Sequence, residues 1–389
     1  MRSFPRFPHP DDNLLTHEFA PFRGGIATYV RETAHAAALL GLPVKIIAPD
    51  YGLAAQPADQ KELFAISRVP NNGRLTPAGI WSLARALASR REEIQDAEKI
   101  VLLSPGALMA MILAREMKWI RAASPVITFF HGSEVLRFSR HSIWRRLSSR
   151  FFPQTQPACA SHFVERLIRE KRLFAEGVKI IRAPCGCPAD IVVAADQRVN
   201  ITGSLQDSYN STEFLTLARL HPRKGQLQTA RAFGFLPSKM KRRVKYLMAG
   251  DGARSYRDQV ERACLAADIR HEFRAMASPD ERSSIYAACD VFVMTSVRLP
   301  ESVEGFGISY LEASIHAKPI LAFRTGGVEE AVVHDRTGLL VDEGDLAGLA
   351  AAMQRLMEDA DLRRRLGAGG REFALGFSWN NAARALCAE

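Results

Sequence analysis

The pattern of apolar and polar positions predicts alternating strands and helices, most regularly in the second half of the chain. Short apolar runs, typical of strands buried on both faces, alternate with longer segments in which apolar residues recur every three or four positions. The predicted strands of this half are 213–218, 244–249, 271–274, 291–295, 319–323 and 338–341. The predicted helices are 226–235, 255–267, 280–288, 346–357 and 361–373. This alternation predicts a parallel sheet covered by helices.

The first half shows the same alternation less regularly, so we expect two doubly wound α/β domains. Its predicted strands are 44–48, 100–104 and 125–130, and its predicted helices are 26–40, 78–91 and 107–116. The weakly periodic stretch from Pro184 to Ser211 indicates the linker. We assign the N-terminal domain, the linker, the C-terminal domain and a final helix that crosses back to the N-terminal domain to 1–190, 191–212, 213–375 and 376–389.

Composition is compatible with a globular protein of two domains. The chain has 389 residues, of which 47% are hydrophobic and 24% charged, and this length exceeds what one core usually supports. No run approaches about 18 uncharged apolar residues, and Met1 to Pro10 lacks the apolar core of a signal peptide. We therefore expect a cytoplasmic protein. The cysteines show no paired metal spacing beyond Cys185 and Cys187, so we expect reduced thiols and no metal.

Positive charge is concentrated in the first half of the chain. Residues 1–185 contain 26 Lys and Arg against 16 Asp and Glu, whereas residues 186–389 contain 26 against 26. This asymmetry implies an anionic partner for the first half, such as a membrane surface, a phosphorylated lipid, an acidic glycan or nucleic acid. The segment 137–152 interleaves arginines with large apolar residues, which suits an anionic bilayer surface. The alternative is an ordinary helix with an apolar core side and solvated arginines.

Two acids, Glu304 and Glu312, stand eight positions apart directly after the predicted strand 291–295. Gly305 and Gly307 place the first acid in a strand-to-helix turn, where free backbone N–H groups favour an anion. An acid inside such a turn suits sugar hydroxyls better than a metal. The second acid, a little over two helical turns away, would contact another part of an elongated ligand, and a nucleotide sugar has that length.

Two cations, Arg219 and Lys224, follow the predicted strand 213–218 on a loop that contains Pro222 and Gly225. Ligands of open α/β sheets collect beyond the carboxyl ends of the strands. A guanidinium fork and an ammonium group held there are suited to a diphosphate. The same charges would stabilise the diphosphate as it leaves an anomeric carbon.

The stretch Glu304 to Glu312 resembles the E-x7-E signature of the retaining family 4 glycosyltransferases, and Leu217 to Gly225 is similar to their diphosphate-clamping loop. The resemblance implies the GT-B fold, two doubly wound Rossmann-like domains facing across a cleft. It also implies that Glu304 contacts the donor sugar and Glu312 the ribose. The implied catalytic residues are Arg219, Lys224, Glu304 and His131. The implied donor-binding residues are Gly24, Gly25, Gly252, Gly305, Phe306, Gly307, Ile308 and Glu312. Glu134 and Arg137 are implied on the acceptor side.

The implied activity is retaining, metal-independent transfer of a hexose from a UDP- or GDP-linked donor to a glycan or lipid-linked acceptor. We expect a role in bacterial cell-envelope polysaccharide or lipopolysaccharide synthesis, peripheral contact with the inner face of the membrane, no cofactor beyond the donor substrate and no nucleic-acid partner. Three segments, 184–187, 273–277 and 298–302, depart from the family pattern. The alternatives are a nucleotide-sugar 2-epimerase of the same architecture and a noncatalytic polyanion-binding protein. A dinucleotide oxidoreductase is disfavoured because the G-x-G-x-x-G fingerprint is missing.

Overall fold

The computed structural model describes residues 12–22, 24–51, 59–121, 124–188, 191–193, 195, 211–275 and 279–388. The chain divides into two compact units, one drawn from residues 1–185 and 378–389 and the other from residues 186–377. Of the predicted linker 191–212, all but residues 191–193, 195, 211 and 212 lies outside the described residues.

The first unit is built on a seven-stranded parallel sheet in the order β3-β2-β1-β4-β5-β6-β7. Its strands are β1 Asp12–Leu15, β2 Val44–Pro49, β3 Ala65–Val69, β4 Ile100–Leu102, β5 Val126–Phe130, β6 Gln156–Cys159 and β7 Ile181–Arg182. Its helices are α1 Gly25–Leu39, α2 Pro77–Ala88, α3 Arg91–Gln95, α4 Pro105–Glu116, α5 Ser133–Arg140, α6 Ser142–Phe151 and α7 His162–Glu170. The central strands β4 and β5 are buried along their whole length, as expected for strands covered on both faces.

The second unit is built on a six-stranded parallel sheet in the order β10-β9-β8-β11-β12-β13. Its strands are β8 Thr212–Leu217, β9 Val244–Ala249, β10 Arg270–Arg274, β11 Val291–Met294, β12 Ile320–Arg324 and β13 Gly338–Asp342. Its helices are α8 Gln226–Phe233, α9 Ser238–Lys241, α10 Arg254–Ala266, α11 Pro279–Ala288, α12 Ile308–Ile315, α13 Val328–Ala331, α14 Leu346–Glu358 and α15 Ala360–Leu375. The predicted α/β class with two doubly wound parallel sheets is confirmed.

The last helix, α16 Trp379–Cys387, belongs to the first unit and packs on α1. The ring of Trp379 lies 5.3 Å from the ring of Tyr29, whose hydroxyl donates to the Ala183 carbonyl over 2.7 Å. Both aromatic side chains are buried. The C-terminal helix therefore contributes to the core of the N-terminal unit.

The sequence pattern missed the strands β1, β3, β6 and β7 and the short helices α3, α9 and α13. Strand β1 was not predicted because it begins with the polar residues Asp12 and Asn13, which break the apolar pattern of a buried strand. Both side chains are nevertheless buried, at 5% and 2% exposure. Lys99 lies 3.7 Å from Asp12, and Asn13 Nδ2 donates to the Glu93 carbonyl over 2.9 Å. Long-range partners of this kind compensate buried polar groups but cannot be read from local sequence.

The basic segment 137–152 forms parts of α5 and α6 and places its phenylalanines inside the unit. Phe138, Phe151 and Phe152 are 0%, 5% and 1% exposed, whereas Ile143 is 69% exposed. Most of the apolar content of this segment therefore belongs to the core. No helix in the described part of the chain combines the length and the apolar character needed to cross a bilayer.

Candidate active site

Glu304 lies at the centre of the candidate site in the second unit. Its Oε2 lies 2.6 Å from Lys224 Nζ and 2.7 Å from Arg223 Nη1. The same oxygen accepts a hydrogen bond from Ser296 Oγ over 3.1 Å. The carboxylate is 8% exposed, and none of the described residues donates to its Oε1. Protein donors therefore saturate Oε2, while Oε1 can accept one more hydrogen bond.

The loop that carries these two cations is held against the end of β11. Gly225 closes the loop with a φ of 74°, and its carbonyl accepts from Thr295 Oγ1 over 2.8 Å. Val297 N donates to the Arg223 carbonyl over 2.8 Å. A Cβ at position 225 would lie 1.8 Å from the Thr295 carbonyl oxygen. Only glycine combines the left-handed backbone with this close approach.

The backbone of Glu304 packs against a pair of glycines that follows β12. Gly327 N donates to the Glu304 carbonyl over 2.9 Å. A Cβ on Gly326 would lie 2.3 Å from that carbonyl oxygen, and one on Gly327 would lie 2.0 Å from the carbonyl oxygen of Gly305. The missing side chains let two loops touch backbone to backbone, which fixes the position of the acid.

The two cations keep the Glu304 carboxylate ionised although it is buried. Burial raises the pKa of a carboxyl group, but the charges of Arg223 and Lys224 outweigh burial here and lower the pKa of Glu304 to about 2. The pKa of Lys224 is lowered from its usual value, chiefly by burial, with Glu304 acting in the opposite direction. Glu304 is therefore a charged hydrogen-bond acceptor at neutral pH.

Arg219 and Gly252 lie beside this centre on two loops that touch. Leu220 and Gly252 form a parallel bridge, and a Cβ at position 252 would lie 2.1 Å from the Leu220 carbonyl oxygen. The Arg219 side chain is exposed, and no acid pairs with it among the described residues. Gly252 is thus needed for packing, whereas the Arg219 guanidinium is available to an anionic ligand.

Glu312, the second acid of the motif, lies on α12 and is held from within the unit. Tyr286 donates to its Oε2 over 2.7 Å, and Arg282 Nη1 donates to its Oε1 over 3.2 Å. The Glu312 side chain is 4% exposed. His316 stacks on Tyr286 at 5.3 Å, contacts the Glu312 carbonyl through Nδ1 over 2.8 Å and contacts Ser283 Oγ through Nε2. Burial, followed by the charge of Glu312, raises the pKa of Tyr286 well above its usual value, so the phenol remains a donor.

The remaining donor-binding residues surround the first acid. Phe306 is 5% exposed and its ring lies 5.7 Å from that of Phe377. Gly307 has a φ of 98° and is the N-cap of α12, which begins at Ile308. A Cβ at position 307 would lie 2.6 Å from the Tyr310 ring. Glycine is therefore required where the turn becomes a helix.

In the first unit, His131 follows β5 and has one defined tautomer. Its Nε2 lies 2.8 Å from the Leu103 carbonyl oxygen, and the rings of Phe129 and Tyr29 lie 4.8 and 5.5 Å away. Because a carbonyl only accepts, the proton of neutral His131 is on Nε2. Its Nδ1 then presents a lone pair.

Glu134 and Arg137, both on α5, differ in their surroundings. Glu134 is 3% exposed and accepts a hydrogen bond from the backbone N–H of His131. Arg137 is half-buried and has no acidic partner among the residues that the structure describes. Glu134 therefore stabilises the turn after β5, and Arg137 is the better placed of the two to meet an anionic ligand.

Gly24 and Gly25 lie at the start of α1. Gly24 is its N-cap, and a Cβ there would lie 3.1 Å from the Phe22 ring. No described atom lies within 4 Å of a Cβ built on Gly25. Packing among the described residues therefore does not require glycine at position 25, and the close approach of a ligand there stays a prediction.

The structure thus joins Lys224 and Glu304 directly and places Arg219, Gly252, Gly305 and Gly307 on the loops around them. Sequence reasoning missed four side chains that hold the two acids. They are Arg223, Ser296, Arg282 and Tyr286. Arg223 alone had a local signal, because it immediately precedes Lys224 in the clamp-like loop.

Comparison with known proteins identifies the class of this site. Residues 24–186 match the glycosyl transferase 4-like domain, and residues 201–373 match the glycosyl transferases group 1. The chain is 27% identical, over 93% of each chain, to the GDP-mannose-dependent alpha-(1-6)-phosphatidylinositol monomannoside mannosyltransferase of Mycolicibacterium smegmatis. It is 37% identical to the D-inositol 3-phosphate glycosyltransferase of Corynebacterium diphtheriae, over 30% of this chain and 27% of that protein.

The crystal structure of Anabaena HepE in complex with UDP and glucose is similar in fold. It superposes with a TM-score of 0.72 at 19% identity and covers 97% of this chain and 98% of HepE. The two domain matches together take in most of the chain, which belongs to the family 4 glycosyltransferases. It is a glycosyltransferase of the GT-B fold that uses a nucleotide sugar. The family matches thus confirm the expected enzyme class and argue against the epimerase and the noncatalytic binder.

Proposed function

We propose that the protein is a retaining, metal-independent hexosyltransferase that takes its sugar from a GDP- or UDP-linked donor. The observation that carries the proposal is the contact of Lys224 and Arg223 with Glu304 on loops fixed by Gly225 and Gly326. This arrangement places two cations beside a buried, ionised acid. The cations suit the diphosphate of a donor, and Glu304 Oε1 suits a hydroxyl of its sugar.

The proposed reaction is a displacement on one face of the sugar. The bond between the anomeric carbon and the diphosphate oxygen breaks, and its electron pair stays on the diphosphate. The acceptor hydroxyl forms the new bond on the same face and gives its proton to the departing diphosphate. Arg219 and Lys224 stabilise the charge that develops on this leaving group, and a single donor of that kind is worth about 3 to 4 kcal/mol. Configuration at the anomeric carbon is retained.

GDP-mannose is the donor to test first. The mannosyltransferase that matches this chain over 93% of its length is GDP-mannose-dependent by name. UDP-glucose is the matched alternative because the similarly folded HepE was solved with UDP and glucose. Both donors carry the diphosphate that the cation loop would hold. They differ in base and sugar, so a comparison reports on specificity.

For the acceptor, we propose a lipid-linked or glycan substrate that carries a phosphate, bound by the first unit. Arg137 supports this proposal because it is half-buried without an acidic partner among the described residues. His17 is 1% exposed, and burial, followed by the charges of His131 and Arg137, lowers its pKa to about 3. Burial disfavours a charge of either sign at His17, so it is Arg137 that supports an anionic acceptor. The related mannosyltransferase is named for a phosphatidylinositol acceptor.

We further propose that α6 contacts the anionic inner face of a bacterial membrane during synthesis of cell-envelope polysaccharide or lipopolysaccharide. Arg145, Arg146 and Arg150 are exposed on this helix beside the exposed Ile143. Arginine near an anionic surface contributes about 1 kcal/mol per residue. Contact with the inner face would bring a cytoplasmic enzyme to a lipid-linked acceptor.

The test is incubation of the purified protein with GDP-mannose or UDP-glucose, with and without a membrane-lipid extract and with EDTA. We expect donor hydrolysis or transfer that EDTA leaves unchanged, and an α-linked product by NMR from these α-linked donors. Lys224→Ala should lose the activity, whereas the exposed Lys239→Ala should keep it. Loss of activity in EDTA contradicts metal independence, and a β-linked product contradicts retention.

A further inference from the structure

Glu304 Oε2 is contacted by two cations from adjacent positions of one loop. Arg223 Nη1 and Lys224 Nζ lie 2.7 and 2.6 Å from this oxygen. Ser296 Oγ is the third donor, at 3.1 Å, and no described residue donates to Oε1. Two cations therefore contact one carboxylate oxygen, although a single cation would balance the charge of Glu304. The second cation needs a physical reason.

Under the proposed function, Lys224 would bind two anions. Its ammonium group contacts Glu304, and the same group is proposed to hold the diphosphate of the donor. A diphosphate carries more charge than a carboxylate and competes for a single point charge on a flexible stem. If Lys224 turns to the diphosphate, Glu304 loses that partner while it remains buried.

Arg223 is anchored so that it can remain with Glu304. Its backbone N–H donates to His221 Nδ1 over 3.2 Å, and its carbonyl accepts from Val297 N over 2.8 Å. The guanidinium Nη1 also lies 3.5 Å from the Val303 carbonyl oxygen. The backbone N–H of Lys224 is also held, by the His221 carbonyl over 2.8 Å, so the two residues differ in their side chains. The Arg223 guanidinium has a second contact at the Val303 carbonyl, whereas the Lys224 ammonium group contacts Glu304 alone among the described residues.

We propose that Arg223 is a positioning residue that keeps Glu304 ionised and in place while Lys224 moves from Glu304 to the donor diphosphate. This proposal rests on the proposed function. It adds that Lys224 exchanges Glu304 for the diphosphate when the donor binds. Glu304 would then meet the sugar as a carboxylate in the complex as well as in the free enzyme.

The other titratable groups near this centre do not replace Arg223. Arg219 is exposed and its charge acts on Lys224 and His221. The pKa of His221 is lowered by burial and then by the neighbouring cations, so at neutral pH this side chain is uncharged. Tyr310 on α12 has a raised pKa, chiefly from burial, and stays neutral as well. Arg223 is thus the cation left in contact with Glu304 once Lys224 departs.

The pH dependence of kcat and of kcat/KM on the acid side, the acid limb of each profile, can test whether Lys224 leaves Glu304 when the donor binds. The pH dependence of kcat/KM reports the free enzyme, and that of kcat reports the complex with substrate. In Arg223→Gln the free enzyme still has Lys224 on Glu304, whereas the complex has neither cation. Burial then raises the pKa of Glu304 above its usual value of 4.5 in the complex only. We expect the kcat limb above pH 4.5 and the kcat/KM limb below it.

The experiment measures hydrolysis or transfer of GDP-mannose and UDP-glucose by the wild type, Arg223→Gln, Arg223→Lys and the control Arg231→Gln. Arg231 lies exposed on α8 outside the site and should leave both limbs unchanged. Arg223→Lys restores a cation and should return the kcat limb towards the wild-type position. Thermal unfolding of each variant checks that the fold is intact.

A binding measurement tests the same inference without turnover. Calorimetry of GDP binding near pH 5, in buffers of different ionisation enthalpy, reports proton uptake. We expect uptake of up to about one proton for Arg223→Gln, because Glu304 protonates when Lys224 turns to GDP, and no comparable uptake for the wild type. Equal kcat and kcat/KM limbs, or proton uptake no greater than that of the wild type, overturn the proposed movement of Lys224 to the diphosphate. A wild-type enzyme inactive on both donors contradicts the proposed function instead.

Discussion

Lys224 Nζ lies 2.6 Å from Glu304 Oε2, so the cation expected to hold the diphosphate touches the acid expected to hold the sugar. The two residues come from the loop after β8 and the turn before α12, which lie 80 positions apart in sequence. Their contact couples recognition of the two halves of a nucleotide sugar. A change at either residue therefore alters the charge state or the position of the other.

Lys224→Ala should lower kcat by about 10²- to 10³-fold, because it removes a donor aimed at the charge on the leaving diphosphate. Glu304 keeps Arg223 and Ser296 as partners, so we expect the variant to fold. Steady-state kinetics with the donor that the wild type uses would measure the effect. Wild-type kcat in a folded Lys224→Ala protein would remove this lysine from the mechanism.

Glu304→Gln should reduce both activity and stability. The change leaves two largely buried cations without their acid, and an unsatisfied buried donor costs about 1–3 kcal/mol. The folded pKa of Glu304 is about 2 and its usual value is 4.5. A carboxyl group with a lowered pKa in the folded protein stabilises the fold at pH values above its usual pKa. This contribution is lost as the pH falls towards its pKa in the folded protein.

Urea unfolding of the wild type and Glu304→Gln between pH 6 and pH 3 measures this contribution. The stability difference between the two proteins should shrink as the pH falls below 4.5. Glu301→Gln is the matched control, because this neighbouring acid is exposed. A difference that stays constant over this range would show that the Glu304 charge does not stabilise the fold.

Sequence reasoning located the loops of this site but not the side chains that hold its acids. Lys224 and Glu304 could be found because each follows an apolar strand and belongs to a recognisable motif. Tyr286 and Arg282 could not, because α11 reaches Glu312 only through the packing of the sheet. Most of the predicted linker, and residues 276–277 of one segment that departs from the family pattern, lie outside the described residues.

The local pattern of strands was informative where both faces of a strand are buried. In the second unit, all six strands were predicted within one residue or two, and all except β10 are apolar runs. Strand β3 is mostly half-exposed at the sheet edge and mixes apolar with polar residues, so its signal is weak. Strand β1 lies at the centre of its sheet but begins with polar residues whose partners are distant in sequence. Burial on both faces therefore gave a clear signal in most strands, although the half-exposed β10 was predicted and the largely buried β6 was missed.

Tyr286→Phe should raise the KM for the nucleotide donor several-fold and leave kcat nearly unchanged. The hydroxyl holds Glu312 Oε2 over 2.7 Å, and its loss frees the carboxylate to rotate away from the position expected for the ribose. This is a loss of binding common to the ground state and the transition state. Tyr246→Phe, whose hydroxyl contacts Thr216 inside the sheet and not Glu312, is the matched control in the same unit. A fall in kcat with unchanged KM would contradict a ribose-binding role for Glu312.

Gly25→Ala and Gly252→Ala should differ in their effect on stability. No described atom lies within 4 Å of a Cβ at position 25, and alanine in the first turn of α1 favours the helix. A Cβ at position 252 would lie 2.1 Å from the Leu220 carbonyl oxygen. We expect an unchanged or higher Tm with reduced turnover for Gly25→Ala, and a lower Tm for Gly252→Ala. Full activity in Gly25→Ala would exclude a close ligand at that turn.

Replacing Arg145 and Arg146 together with serine should weaken binding to anionic vesicles about 30-fold, since each well-placed cation contributes about 1 kcal/mol. Both side chains are exposed on α6, so the fold should be unaffected. Sedimentation with phosphatidylglycerol vesicles, compared with phosphatidylcholine vesicles, measures the loss. The matched control replaces Lys239 and Arg242, two exposed cations of the second unit, and removes the same charge. A contact through α6 should make the Arg145 and Arg146 variant lose more vesicle binding than the control, although both lose the same charge. Equal losses of vesicle binding would show that net charge, and not α6, governs binding.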